Sequence, residues 1–226
     1  MPKLKQSEVH TITRIVTSES GEETFRYTKE LQGVDGKHAT FLMLYPTRNP
    51  ENFHVQDSTG VHIENHLKEL GLNSYTVVNL FSKVTQSRLS VKGLAVDSAN
   101  LEYIEKEVFS KVDVENTVVV IAWGNSHLTS KAVNLSKQKV LESWLALHPE
   151  EKLYQLTADG MDKDNYGVHP LYMGIRYSNA VWKLSPYPVK KVLEQFRKEE
   201  GNKTEDKKDS KSDGKGKRQI VKKGSK

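Results

Sequence analysis

Three residues stand where strand-ending signals meet groups able to do chemistry. His169 precedes Pro170 in "GVHPLY", Asn79 lies near the end of the apolar run "SYTVVNLF", and Tyr45 closes "ATFLMLY" directly before Pro46. An imidazole donates or accepts through either ring nitrogen and titrates near neutrality. A side-chain amide presents a donor and an acceptor together, which suits a nucleobase edge that needs both. A phenol, with a pKa of about 10, is a poor general base at neutral pH. Asp57, in the polar stretch after Pro46, adds a carboxylate whose placement the sequence leaves open. Each has a plainer role beside the chemical one: His169 anchoring a loop, Asn79 capping a turn.

Alternating strands and helices must position these residues. "VHTITRIV" (9–16) reads as an edge strand and "FRYTKEL" (25–31) as a second strand, followed by the turn "GVDGK". "ATFLMLY" (39–45), "SYTVVNLF" (74–81), "NTVVVIAWG" (116–124) and "KLYQLTA" (152–158) are short, mostly apolar runs, as buried strands should be. "AVWKL" (180–184) adds a short strand. Helices are expected over 60–71, over 99–112 behind the caps Asp97 and Ser98, within 125–150 up to Pro149, and over 187–200. Strands alternating with helices of this length predict an α/β domain on a mainly parallel sheet of four or more strands. In such sheets ligands bind beyond the carboxyl ends of the strands. The ends at Tyr45, Asn79, Trp123-Gly124 and the "GVHPLY" segment therefore define one expected pocket.

Composition narrows the chemistry. The 226 residues contain no cysteine, which excludes disulfides, zinc–thiolate sites and thiol nucleophiles. No apolar run is long enough for a membrane span, and a soluble, cytoplasmic protein is expected. The net charge of +5 is unevenly spread: residues 201–226 hold ten Lys/Arg against four acids, a net of +6, leaving −1 for residues 1–200. This Gly/Ser-rich basic tail is expected to be disordered. It reads equally as a salt-sensitive phosphate-backbone contact or as a solubilising end. The domain plan is thus a polar segment 1–24, one domain over 25–200, and the tail.

The motifs "MLYP" (43–46), "NLF" (79–81), "WG" (123–124) and "HPLY" (169–172) resemble a bacterial family of unknown function, found on mobile elements, whose pattern is M-L-N-P-S, N-L-F, W-G and H-P-L-Y. Their order also resembles the uracil-DNA glycosylase superfamily. That resemblance implies a three-layer α/β/α sandwich holding a flipped base at its strand ends. It implies that Asn79 reads the base edge and that His169 donates a hydrogen bond to the departing base as charge develops. Tyr45 then stands where that superfamily carries a water-orienting Asp or Asn, so slow, altered or lost N-glycosidic cleavage of uracil or another unusual base is expected. Asp57 is the substitute carboxylate, and Tyr45 a stacking or excluding wall.

Further candidates follow from the same picture. Phe53 and Phe81 are aromatic groups able to stack on a base, although core packing suits Phe81 as well. Arg48, Lys131 and Arg176 are cations for phosphate contacts, and Leu171, Tyr172 and Met173 supply an apolar wedge for DNA. His54, His62 and His66 lack the glutamate or third ligand of a zinc site, so no metal or cofactor is expected. Two other readings stand beside the glycosylase one: a catalytically inactive DNA- or partner-binding member of the fold, and a binder of a free nucleotide or small molecule at the same strand ends.

Overall fold

The computed structural model describes residues 6–47, 51, 55–85 and 94–198. Arg48, Phe53, His54 and the basic tail fall outside them. The chain divides into two units, Met1–Val189 and Lys190–Lys226. The first unit is an α/β fold on a seven-stranded mixed sheet. Its strands are β1 (His10–Thr17), β2 (Thr24–Gln32), β3 (Lys37–Met43), β4 (Leu72–Asn79), β5 (Thr117–Ile121), β6 (Leu153–Ala158) and β7 (Trp182–Pro186), in the order β1-β2-β4-β3-β5-β6-β7. The pairings from β4 through β3 and β5 to β6 are parallel, and the outer pairings are antiparallel.

Burial explains this order. From Ala39 to Met43 every β3 residue is buried, as a central parallel strand covered on both faces must be. β2, mostly half-buried, and β1, exposed at half of its residues, extend the sheet at one edge. Helix α1 (Ser58–His66) follows β3, α2 (Ser98–Tyr103) follows β4, α3 (Lys131–Leu147) follows β5 and α4 (Pro170–Arg176) follows β6. Helix α1 packs on α4, while α2 packs on α3. Phe41, Met43, Val120 and Ala122 join Ile63, Leu67 and Met173 in one core cluster. Their strand neighbours Leu42 and Ile121 point oppositely and are also buried, giving the three-layer sandwich. Gly174 lets α1 approach α4, since a Cβ there would lie 2.1 Å from His62 Nδ1.

Several boundaries differ from the sequence reading. β3 stops at Met43, so Leu44 and Tyr45 leave the strand before Pro46. Helix α1 starts at Ser58 because Asp57 caps it, its carboxylate accepting from Gly60 N at 2.6 Å. The expected helix over 99–112 ends in a π-helical turn (Ile104–Val108) and a 3-10 turn (Phe109–Lys111). Helix α3 begins only at Lys131, capped by Ser130, which frees 125–130 to form a loop. "HPLY" opens a helix: His169 is the N-cap of α4 and Pro170 its first residue. Residues 189–198 are helical.

Candidate functional site

Consecutive crossovers place the site. From β3 the chain steps to β4 on one side, then crosses over to β5 on the other. The carboxyl ends of these strands therefore flank a point where the strand order reverses, where a crevice forms. A cavity of about 570 Å3 opens there, and Tyr45, Asp57, Asn79, Gly124, His169 and Tyr172 all contribute to its lining. Backbone bonds tie the strand ends together: Leu80 N donates to Met43 O at 2.9 Å, and Ala122 N donates to Leu42 O at 2.9 Å.

His169 is held in one protonation state. Its Nδ1 accepts a hydrogen bond from Leu171 N at 3.2 Å, which leaves the ring proton on Nε2. Enclosure of the ring lowers its pKa to about 4, with the nearby Asp57 carboxylate opposing the shift, so the imidazole is neutral at physiological pH. The Trp-Gly motif makes room for it. Gly124 has φ of 71°, and a Cβ there would sit 3.2 Å from His169 Cβ. Gly124 N donates to Gly167 O at 2.8 Å, and Gly167 N donates to Gln155 Oε1 at 3.0 Å, so β5, β6 and the loop before α4 are joined behind the imidazole.

Asn79 is 5% exposed and lines the cavity. Its backbone carbonyl accepts from Asn100 Nδ2 at 2.6 Å, while its side-chain amide has no hydrogen bond within the described residues. An amide without protein partners beside open space is free to pair with a ligand or with water through both its donor and its acceptor. Asp57 enters the cavity beside these groups with Oδ1 committed to the α1 cap. Tyr45 is partly exposed at the same rim.

Not every expected residue joins them. Phe81 is 4% exposed and outside the lining, packed in the core. Met173 is fully buried against α1 and cannot serve as a wedge. Leu171 and Tyr172 do line the cavity, Tyr172 half-exposed, and Ile175, 72% exposed one turn on, is an apolar group the sequence reading missed. Lys131 and Arg176 are exposed and off the lining. His66 is structural: Nδ1 donates to His62 O at 2.7 Å and the ring stacks 3.7 Å from Trp182.

A second group was also missed. Glu64, Tyr75, Tyr27 and Gln56 line the cavity beside Asp57. Asp57, Gly60 and Glu64 fall at helical spacing, a polar stripe that a helix begun at Asp57 would have revealed. Gly60 keeps that stripe open, because a Cβ there would meet Asp57 Oδ1 and Tyr75 Oη at 3.3 Å.

The fold and this strand-end feature define an α/β protein with a partly enclosed cavity lined by apolar groups and a few polar ones. The chain belongs to the family described as protein of unknown function (DUF1643), whose model matches residues 26–171. No curated protein matches it. The matched segment reaches from β2 through the start of α4 and so takes in Tyr45, Asn79, Gly124 and His169. Among the described residues no helix is long and apolar enough to cross a membrane.

Proposed function

We propose that this protein binds DNA and takes an unusual base, uracil being the simplest, into the strand-end cavity for slow or atypical N-glycosidic cleavage. One observation carries the reading: a buried amide without side-chain hydrogen bonds among the described residues, Asn79, and an imidazole fixed as an Nε2–H donor, His169, line the same cavity. A pyrimidine edge supplies the acceptor and donor that the amide lacks. As the bond from C1′ to the base breaks, its electron pair goes to the base, and a neutral imidazole N–H stabilises the resulting anion. Water adds to C1′, and its proton passes to the Asp57 carboxylate, whose second oxygen is free of the α1 cap. Tyr45 closes the rim in place of a carboxylate. Tyr172 and Ile175 offer the apolar surface that would enter the stack, and the basic tail supplies phosphate affinity.

A second reading, a binding module without base release, is favoured by Tyr45 itself and by the partial commitment of Asp57 to a helix cap. An oligonucleotide carrying one deoxyuridine, incubated with the full chain and then treated with alkali, separates the two. Strand scission that is lost in His169→Ala and accelerated in Tyr45→Asp supports the enzyme. Intact strands in every case, with binding retained, leave the binding module.

A further inference from the structure

Asn79 and His169 account for only part of the cavity. At about 570 Å3 it falls within the range of pockets for whole drug-sized ligands, roughly 300–1,000 Å3. A lone pyrimidine ring fills a fraction of that space. The remaining space lies over β1, β2 and β4, where Ile15, Tyr27 and Val77 stand abreast in register and all line the cavity. β1 and the first residues of β2 precede the matched family segment, which starts at Arg26.

Its polar group is Glu64. Lys29 Nζ donates to Glu64 Oε2 at 2.7 Å, Gln56 Nε2 to the same oxygen at 3.1 Å, and Tyr75 Oη to Oε1 at 2.9 Å. Lys29 is 8% exposed, so the pair is largely shielded from water. Burial, together with the neighbouring Tyr27 and Glu64, pushes the Tyr75 pKa up, so its phenol stays protonated and donates. The carboxylate is thus fixed in place by three donors, and its side chain keeps 21% exposure. With Asp57 the cavity holds two carboxylates near one buried cation. Such a wall repels phosphate and accepts hydrogen bonds.

We propose that this compartment receives a hydrogen-bond donor, an amine, carried on a base beyond the pyrimidine ring, and that Glu64 is its acceptor. The inference rests on the base-binding reading above. It makes the preferred base a pyrimidine extended by an amine-bearing substituent rather than plain uracil, with bulk accommodated over Ile15 and Tyr27.

The test is equilibrium binding of the full chain to single-stranded oligonucleotides differing at one position: deoxyuridine, thymidine, or 5-aminomethyl-deoxyuridine. Thymidine adds bulk without a donor. The aminomethyl base is expected to bind at least about tenfold more tightly than either other, a difference worth about 1.4 kcal/mol. Glu64→Gln, which keeps shape and removes charge, should abolish that preference. Ile15→Trp, on the outer strand and away from the Glu64 contacts, should weaken only the aminomethyl ligand. Equal binding of all three bases, or a preference that survives Glu64→Gln, overturns the proposal. If Asn79→Ala still weakens every ligand in that case, base binding stands and only the second compartment falls. If Asn79→Ala changes nothing, both readings fail together.

Discussion

The two faces of the sheet place their polar groups differently. The α2–α3 side buries them in packed surroundings, where Asn100 Oδ1, Ser136 Oγ and Ser143 Oγ have no hydrogen-bond partner among the described residues, and the other side lines a cavity with them. On the α2–α3 side three side chains serve the backbone: Asn100 Nδ2 binds Asn79 O, His148 Nε2 contacts Phe109 O at 2.9 Å, and Lys137 Nζ reaches Gly124 O at 3.4 Å. On the cavity side, Asn79 and His169 instead keep an amide and an N–H directed to no described partner. What separates Asn79 and His169 from those groups is the open cavity beside them, not burial or a missing partner alone.

The largest test of this contrast is Trp144→Ala. Trp144 is 2% exposed and meets Phe109 edge-on at 5.1 Å. Its loss should cost about 3–5 kcal/mol of stability, read by denaturant unfolding, with the base preference of the remaining folded protein unchanged. A changed preference would mean that the two faces are coupled.

Lys137→Met comes next. Lys137 is 3% exposed, lies 5.4 Å above the Trp123 ring, and forms no ion pair among the described residues. Burial lowers its pKa to about 8 from 10.5. The folded value is the lower one, so the penalty is full below pH 8 and gone above pH 10.5. Lys137→Met should raise stability by up to about 3 kcal/mol at pH 7 and by little at pH 10.5, seen as a pH-dependent difference in Tm.

His169 should give an effect of similar size on the acid side. Its folded pKa of about 4 lies below the ordinary 6.5, so the native state binds fewer protons than the unfolded chain between these values. Stability should be full above pH 6.5 and fall as pH drops through about 4. His169→Gln should flatten that part of the Tm–pH curve. The smallest stability change belongs to Asn79→Ala. Because the amide makes no side-chain bond among the described residues, it should alter unfolding by less than about 1 kcal/mol while weakening base binding about tenfold.

Much of this architecture is legible in the sequence. The buried strands announce themselves as apolar runs, and the strand ends that carry Tyr45, Asn79, Trp123-Gly124 and His169 do meet in one cavity. What the sequence hides depends on packing across long separations. Phe81 and Met173 carry the same apolar character as true lining residues, and only the course of the chain turns them into the core. Glu64 reads as an ordinary solvated helix charge until Lys29, some 35 residues earlier, is brought beneath it. Asp57 carries a local signal, an N-cap residue two turns ahead of Glu64, which a helix boundary set two residues late conceals. The tautomer of His169 depends on its place as the N-cap of α4, which the His-Pro pair permits without specifying.

The central claim is that the unspent groups of Asn79 and His169 exist to read a base. The most direct measurement compares the affinity of the full chain for two single-stranded oligonucleotides, identical except for one deoxyuridine or one abasic site, in the wild type and in Asn79→Ala. The account predicts at least about a tenfold preference for the base-bearing strand, lost in Asn79→Ala with phosphate-driven binding intact. Equal affinity for both strands in the wild type, or a preference that Asn79→Ala leaves unchanged, would contradict it.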